Sequence, residues 1–357
     1  MHKKLFIPGP VDVREDVLQA LASPMIGHRT EAASTLQREI SDMAKQLFHT
    51  ENQILLSTSS GSGLMEGAIR SCTRKKAVVF SMGAFGDRWY SMAQSNNVPA
   101  DKISVPWGQA ITAEIVDNTL ADGHYDLMTI THNETSTGVT CPVEEIAEVM
   151  KTYPGLVWCM DAVSSMGGTK IDVDALGVDV CITSTQKAIG LPPGLSICSM
   201  SEKAVRAARQ VKYRGSYLDL SKLYDNVTKK NYQYPSTPSL PHMFALHYQL
   251  NRILNEEGME NRFARHLAMA EQVRQWARTH FRLFADERYL SATVTAIDNV
   301  RGISVAELNT QLGDCGFMLS NGYGPLKERT FRIAHMADYT QEDINDLLNT
   351  IDDILGV

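Results

Sequence analysis

Short apolar runs bounded by glycine, proline and small polar residues recur through the first two thirds of the chain. They fall near residues 53–57, 77–81, 102–106, 126–131, 156–160, 178–182 and 195–199. Several are apolar at successive positions and do not alternate, the pattern of strands buried on both faces. Helical patterns lie between several of them, and two more precede the first, near Arg14 to Ala22 and Thr30 to His49. Strand and helix in alternation predict an α/β fold with a mostly parallel, seven-stranded sheet and right-handed crossovers. After Pro241 the pattern changes. A long helical stretch from His242 to His280, broken at Gly258, leads to a smaller α+β unit with strands near 292–298, 316–320 and 330–334 and helices near 304–313 and 340–354. The expected division is an N-terminal arm over 1–14, a large domain over 15–250 and a small C-terminal domain over 251–357.

A chain of 357 residues with 43% hydrophobic content can fill two cores. No apolar run reaches the ~18 to 20 residues of a membrane span, and Pro8 interrupts the basic opening too early for a signal peptide. The net charge of −7 comes without a basic stripe, which argues against nucleic acid as a partner. The six cysteines, at 72, 141, 159, 181, 198 and 315, mostly occupy apolar strand contexts and read as buried thiols in a reducing cytoplasm. His28, His132, His242, His247 and His335 lack metal-ligand spacing, so no catalytic metal is expected.

Candidate chemistry collects where strands end. Lys187 follows the buried run Val178 to Ile182, after Thr183, Ser184 and Thr185 carry the chain out of the sheet and before a glycine- and proline-rich loop. Ligands of open α/β sheets bind at that edge. A desolvated lysine amine there would be a nucleophile toward aldehydes; an isolated lysine would more often be a solvated surface charge. Asp161 ends the upstream strand. It suits a protonated ring nitrogen, or else a helix N-cap. The turn Thr58-Ser-Ser-Gly-Ser-Gly63 opens a helical pattern and suits a phosphate, or else is a capped helix start with flexible glycines. Its glycines match neither a dinucleotide fingerprint nor a nucleotide P-loop.

In this order the glycine-rich turn, the aspartate and the lysine resemble the fold-type I pyridoxal-phosphate enzymes. The detail is similar to the class V aminotransferases, nearest the alanine:glyoxylate and serine:pyruvate/glyoxylate group. The resemblance runs from Pro8-Gly-Pro10 and Gly27-His-Arg29 through Thr131-His-Asn-Glu-Thr-Ser-Thr-Gly138 and Ser184-Thr-Gln-Lys187 to Phe331-Arg-Ile333. It implies pyridoxal 5′-phosphate as cofactor, Lys187 as the Schiff-base lysine and Asp161 as partner of the ring nitrogen. It makes Ser60, Gly61, Ser62 and Gln186 phosphate ligands and Thr135 a donor to the ring oxygen. Phe85 becomes the stacking ring, where some members carry Trp. Arg332 would hold the substrate carboxylate, with Gly9 also at the substrate. Tyr234 and Thr237 would cross a homodimer interface to the partner's phosphate.

The implied activity is ping-pong transfer of an amino group from a small amino acid such as alanine or serine to a 2-oxo acid such as glyoxylate or pyruvate. One rival is a cysteine desulfurase or related lyase of the same class. It would need a mobile thiol, and Cys315 is read as packed at the start of an apolar strand. A second rival is a non-catalytic cofactor-binding protein. His28, Arg29, Asn321 and Tyr323 are left as candidates for substrate selection. Arg29 is either a second pocket cation, which would favour a dicarboxylate or phosphonate donor, or a structural residue.

Overall fold

The computed structural model describes residues 2–357. The larger sheet has seven strands, in the spatial order Gln53–Ser57, Ser196–Met200, Val180–Ser184, Val157–Asp161, Leu127–Thr131, Ala77–Ser81 and Ala100–Ser104. Ser196–Met200 runs antiparallel to both neighbours and the other pairings are parallel. Successive residues of a strand point to opposite faces. Val78, Phe80, Met128, Ile130, Trp158 and Met160 therefore enter one apolar cluster, while Ala77, Val79, Leu127, Val157 and Cys159 enter another. The edge strand Ala100–Ser104 is half-exposed and carries Asp101 and Lys102, charges that discourage pairing with another chain.

Two of the expected strands are displaced by two residues. The strand expected at 178–182 is Val180–Ser184, because Thr183 and Ser184 remain in the sheet opposite Ile197 and Ser196. Their short hydroxyl side chains are tolerated in a buried strand when a hydrogen bond is available: Ser184 donates to Gln186 Oε1. The strand expected at 102–106 is Ala100–Ser104, in register with Ala77–Ser81.

The second sheet has five strands, in the order Lys4–Phe6, Phe317–Asn321, Thr330–Ala334, Val294–Asp298 and Arg282–Leu283. The N-terminal arm is thus joined to the C-terminal sheet, through a parallel pairing of Lys4–Phe6 with Phe317–Leu319 and a stacked contact of Phe6 on Tyr339. A three-residue strand is too short to leave a periodic signal. The long helical stretch divides into the helix Leu240–Asn251, a π-helical turn Arg252–Glu257 and the helix Met259–His280, with Gly258 at φ +78° between the last two. Cys315, expected to be packed, is exposed: it caps the helix Val305–Asp314, and the turn at Gly316 (φ +86°) separates it from the strand. The other five cysteines are buried. No helix is long and apolar enough to cross a membrane among the described residues.

Arg262 joins the two halves. It is 0% exposed and donates to the carbonyls of Gly167 (2.9 Å) and Ala188 (2.6 Å) and to the carboxylates of Glu257 (2.6 Å) and Asp338 (3.0 Å). Its guanidinium thereby fastens the loops that follow Asp161 and Lys187 to the segment after strand Thr330–Ala334.

Candidate active site

Lys187 lies in the turn after strand Val180–Ser184, a turn closed by Gly190 N–H to the Lys187 carbonyl and Leu191 N–H to the Thr185 carbonyl. Its ammonium donates to the Pro8 carbonyl of the N-terminal arm. Lys187 keeps some surface, yet burial pushes its pKa down to about 8; the charges of Arg332 and Arg88 add to that, and Asp161 opposes it. A lysine so placed supplies neutral amine near physiological pH.

Asp161 ends the neighbouring strand, in register with Ile182, and is 4% exposed. Its Oδ1 accepts the Val163 N–H at 2.8 Å, so it closes a turn and caps no helix. Burial pushes its pKa up to about 6; the Val163 N–H pulls it back and the nearby Glu134 raises it. No other side chain donates to this carboxylate among the described residues. A pyridinium N–H is the charged donor that such a group lacks.

The glycine-rich turn becomes the start of the helix Gly61–Cys72, with Ser60 as N-cap and its hydroxyl not used for capping. Glycine is favoured here by contact, not by conformation, since both positions are regular helix. A Cβ on Gly61 would stand 2.7 Å from Val163 Cγ2, and one on Gly63 2.6 Å from Ser59 Oγ. Unfilled N–H groups, the positive helix end and the free Ser60 hydroxyl suit a phosphate. Gln186 accepts Ser184 Oγ through its Oε1, which leaves its amide N–H groups for another acceptor.

Phe85 opens the helix Ala84–Ser95. Glu134, fully buried, receives the N–H groups of Phe85 (3.0 Å) and Gly86 (3.2 Å) and the hydroxyl of Ser136 (2.6 Å), which fixes the ring's position. Arg332, on strand Thr330–Ala334, donates to the carbonyls of Thr135 (3.1 Å) and Asn321 (3.1 and 3.2 Å). Burial pushes its pKa down to about 10, so it stays charged at neutral pH. Tyr323 bridges the halves: its ring centroid is 5.8 Å from that of Phe85, and the Arg332 guanidinium lies 5.5 Å from it. Gly9, at φ +105°, packs directly on Lys187.

The 234–239 segment lies beside its own chain's glycine turn. Tyr234 is buried, its hydroxyl accepting the Thr58 N–H at 3.0 Å, and Thr237 is exposed. Arg29 donates to the carbonyls of Tyr234 and Ser236 and to Gln233 Oε1. Of the two readings kept for Arg29, the structural one fits these contacts.

Pro8 and Glu134 lie in motifs that carry the resemblance, but sequence reasoning gave them no role: the Pro8 carbonyl receives Lys187 and Glu134 holds Phe85, contacts that only the fold creates. Sequence reasoning also missed Arg88, one helical turn beyond Phe85, where the i, i+3 spacing was a usable signal. An amine, a buried acid on the next strand, a glycine-lined helix start and an aromatic ring together fit pyridoxal phosphate.

Comparison with known proteins agrees with this donor set. Residues 15–347 match the family model described as Aminotransferase class-V. An uncharacterized aminotransferase of Methanocaldococcus jannaschii is 36% identical, over 96% of this chain and 90% of its own. The L-aspartate–glyoxylate aminotransferase of Paracoccus denitrificans is 30% identical, over 94% and 87%. Among solved structures, the alanine–glyoxylate aminotransferase of Nostoc sp. superposes with a TM-score of 0.94 at 26% identity, over 99% of this chain and 96% of that one.

Proposed function

Because this chain belongs to the class V aminotransferases and is a pyridoxal-phosphate-dependent transaminase, we propose that it moves the amino group of a small monocarboxylic amino acid, alanine or serine, to glyoxylate or pyruvate. The observation that carries this reading is the engagement of Arg29 by residues 233–236. Arg332 is then the arginine available for a substrate carboxylate, and Arg29 does not supply the second pocket cation that a dicarboxylate donor would favour. Glyoxylate as acceptor is supported by two of the similar proteins, one named for alanine and one for aspartate with glyoxylate.

In this proposal Lys187 binds the cofactor until the donor amine replaces it. Its freed Nζ would be the base that takes and carries the donor Cα proton. The bound cofactor supplies an electron sink for the pair left at Cα. Asp161 would keep the ring nitrogen protonated, Phe85 would stack on the ring, and Ser60, Gly61, Ser62 and Gln186 would hold the phosphate. Thr135 bonds the ring oxygen. Arg332, with Gly9 alongside, would hold the donor carboxylate and so orient its Cα–H bond toward Lys187. The same groups run the second half in reverse with the 2-oxo acid, giving ping-pong kinetics.

The proposal also takes the working protein as a cytoplasmic homodimer in which the exposed Thr237 approaches the partner's phosphate, while Tyr234 stays on its own chain's glycine turn, with the two domains dividing near residue 250. The exposure of Thr237, the buried free thiols and the π-helical turn at 252–257 support these assignments. The test is an absorbance titration of the purified protein with alanine, serine, aspartate and aminoethylphosphonate singly, with Lys187→Ala as control. Bleaching of the visible band by alanine or serine, reversed by glyoxylate or pyruvate, is expected. Preferential bleaching by aspartate or the phosphonate would overturn the monocarboxylate reading.

A further inference from the structure

Arg88 is a half-buried cation beside the site, and nothing in the transamination scheme uses it. It follows Phe85 by one turn of the helix Ala84–Ser95. Its guanidinium carbon lies 4.6 Å from the Phe85 ring centroid. Its Nη1 donates to Ser62 Oγ at 3.1 Å, in the first turn of the glycine-lined helix. Among the described residues no carboxylate pairs with it. The adjacent Asp87 is engaged by Ser81 and Lys102 instead. A cation held against the positive end of a helix has the wrong sign for stability, unless an anion sits between them.

We propose that Arg88 is a positioning residue of the cofactor site: it locks the Phe85 ring and the Ser62 hydroxyl into one unit and turns a positive charge toward the cofactor phosphate. This rests on the pyridoxal-phosphate reading above. One face of the planar guanidinium covers Phe85, and one of its five N–H donors orients Ser62. The stacking surface and the phosphate cradle, which come from different helices, are thereby fixed at one spacing. The same charge also acts on Lys187, where it favours the neutral amine, and on Asp161, where it favours the carboxylate. Both effects suit a site that must hold a basic amine and an ionised acid together.

The experiment titrates apoprotein with pyridoxal phosphate and, separately, with pyridoxal, which lacks the phosphate, following the quenching of tryptophan fluorescence. Wild type, Arg88→Gln and Arg88→Lys are compared after circular dichroism confirms that each is folded. Loss of a charge-assisted contact predicts that Arg88→Gln weakens pyridoxal phosphate binding by about tenfold or more. Pyridoxal binding should change by much less, and Arg88→Lys should fall between, keeping the charge without the planar stack. A second readout is the pH at which Lys187 captures the cofactor, which should rise in Arg88→Gln and not in Arg88→Lys. Unchanged pyridoxal phosphate affinity in Arg88→Gln, or an equal loss for both compounds, would overturn the proposal. Wild-type apoprotein that binds neither compound would instead overturn the cofactor reading beneath it. If Arg88→Gln does not fold, the Arg88→Lys comparison decides alone: equal effects on the two compounds would refute the assignment.

Discussion

Gly9 lies so close to Lys187 that a Cβ on it would stand 2.7 Å from the lysine Cδ and 2.9 Å from both Cε and Nζ. The N-terminal arm is therefore a wall of the lysine's pocket as well as an edge of the second sheet. A Gly9→Ala protein must either displace the arm or move the amine, and alanine is also strained at φ +105°. A stability loss of about 1–3 kcal/mol is expected. Capture of pyridoxal phosphate by the apoprotein should slow about tenfold or more, since ångström-scale misplacement has effects of that order. Stopped-flow absorbance of cofactor binding gives the answer; an unchanged rate would refute the contact.

The buried Asp161 carboxyl should show in the pH dependence of apoprotein stability. Burial raises its folded pKa from 3.8 to about 6, so between those values the folded state binds more protons than the unfolded state. Its stability contribution is fully present below 3.8 and is lost as pH rises through about 6. Asp161→Asn cannot titrate. Its stability relative to wild type should improve by about 2–3 kcal/mol between pH 4 and pH 7, while amino transfer is abolished. Urea unfolding at a series of pH values measures the difference, and a flat difference would contradict the burial of the charge.

Tyr323 covers Arg332 on one side and meets Phe85 on the other. Removing the aromatic face while keeping apolar bulk, as in Tyr323→Leu, is expected to raise the donor KM by about three- to tenfold with kcat little changed. Tyr323→Phe should behave as wild type. Equal damage from both would transfer the effect to the phenol hydroxyl, against this account.

Arg262 is a buried charge with four partners; removing it takes a donor from two buried carbonyls and leaves Asp338 to Arg252 and Gln249 and Glu257 to Arg265. Leaving the two buried carbonyls without this donor is expected to destabilise by about 1–3 kcal/mol. Arg262→Met, which keeps bulk, should lower the urea midpoint accordingly. A loss below about 1 kcal/mol would mean that the network is no more than a surface ion pair in strength.

The strands of the large sheet were legible because a strand buried on both faces is written as a short apolar run. The runs at 53–57 and 77–81 coincide with observed strands. Those read at 178–182 and 102–106 shift by two residues, since pairing with a neighbour, and not hydropathy, sets where a strand ends. The arm strand Lys4–Phe6 left no signal because three residues carry no period. Cys315 was misread because the apolar run after it does begin a strand, but the glycine turn between them leaves the thiol outside.

The order of the glycine-rich turn, the strand-end acid and the strand-end lysine was likewise present in the chain. These features depend on local composition: buried runs, turn residues and the polar groups at their ends. Whether Arg29 faced a substrate or a backbone, what lay above Lys187 and what Arg88 touched could not be read this way. Each depends on which distant segment packs alongside. Periodicity marks the face of an element that is buried but not its partner. The pairing of Val157–Asp161 with Val180–Ser184 arises only when the large sheet assembles, and the docking of the arm against Lys187 and the approach of Arg332 only when the second sheet packs against it.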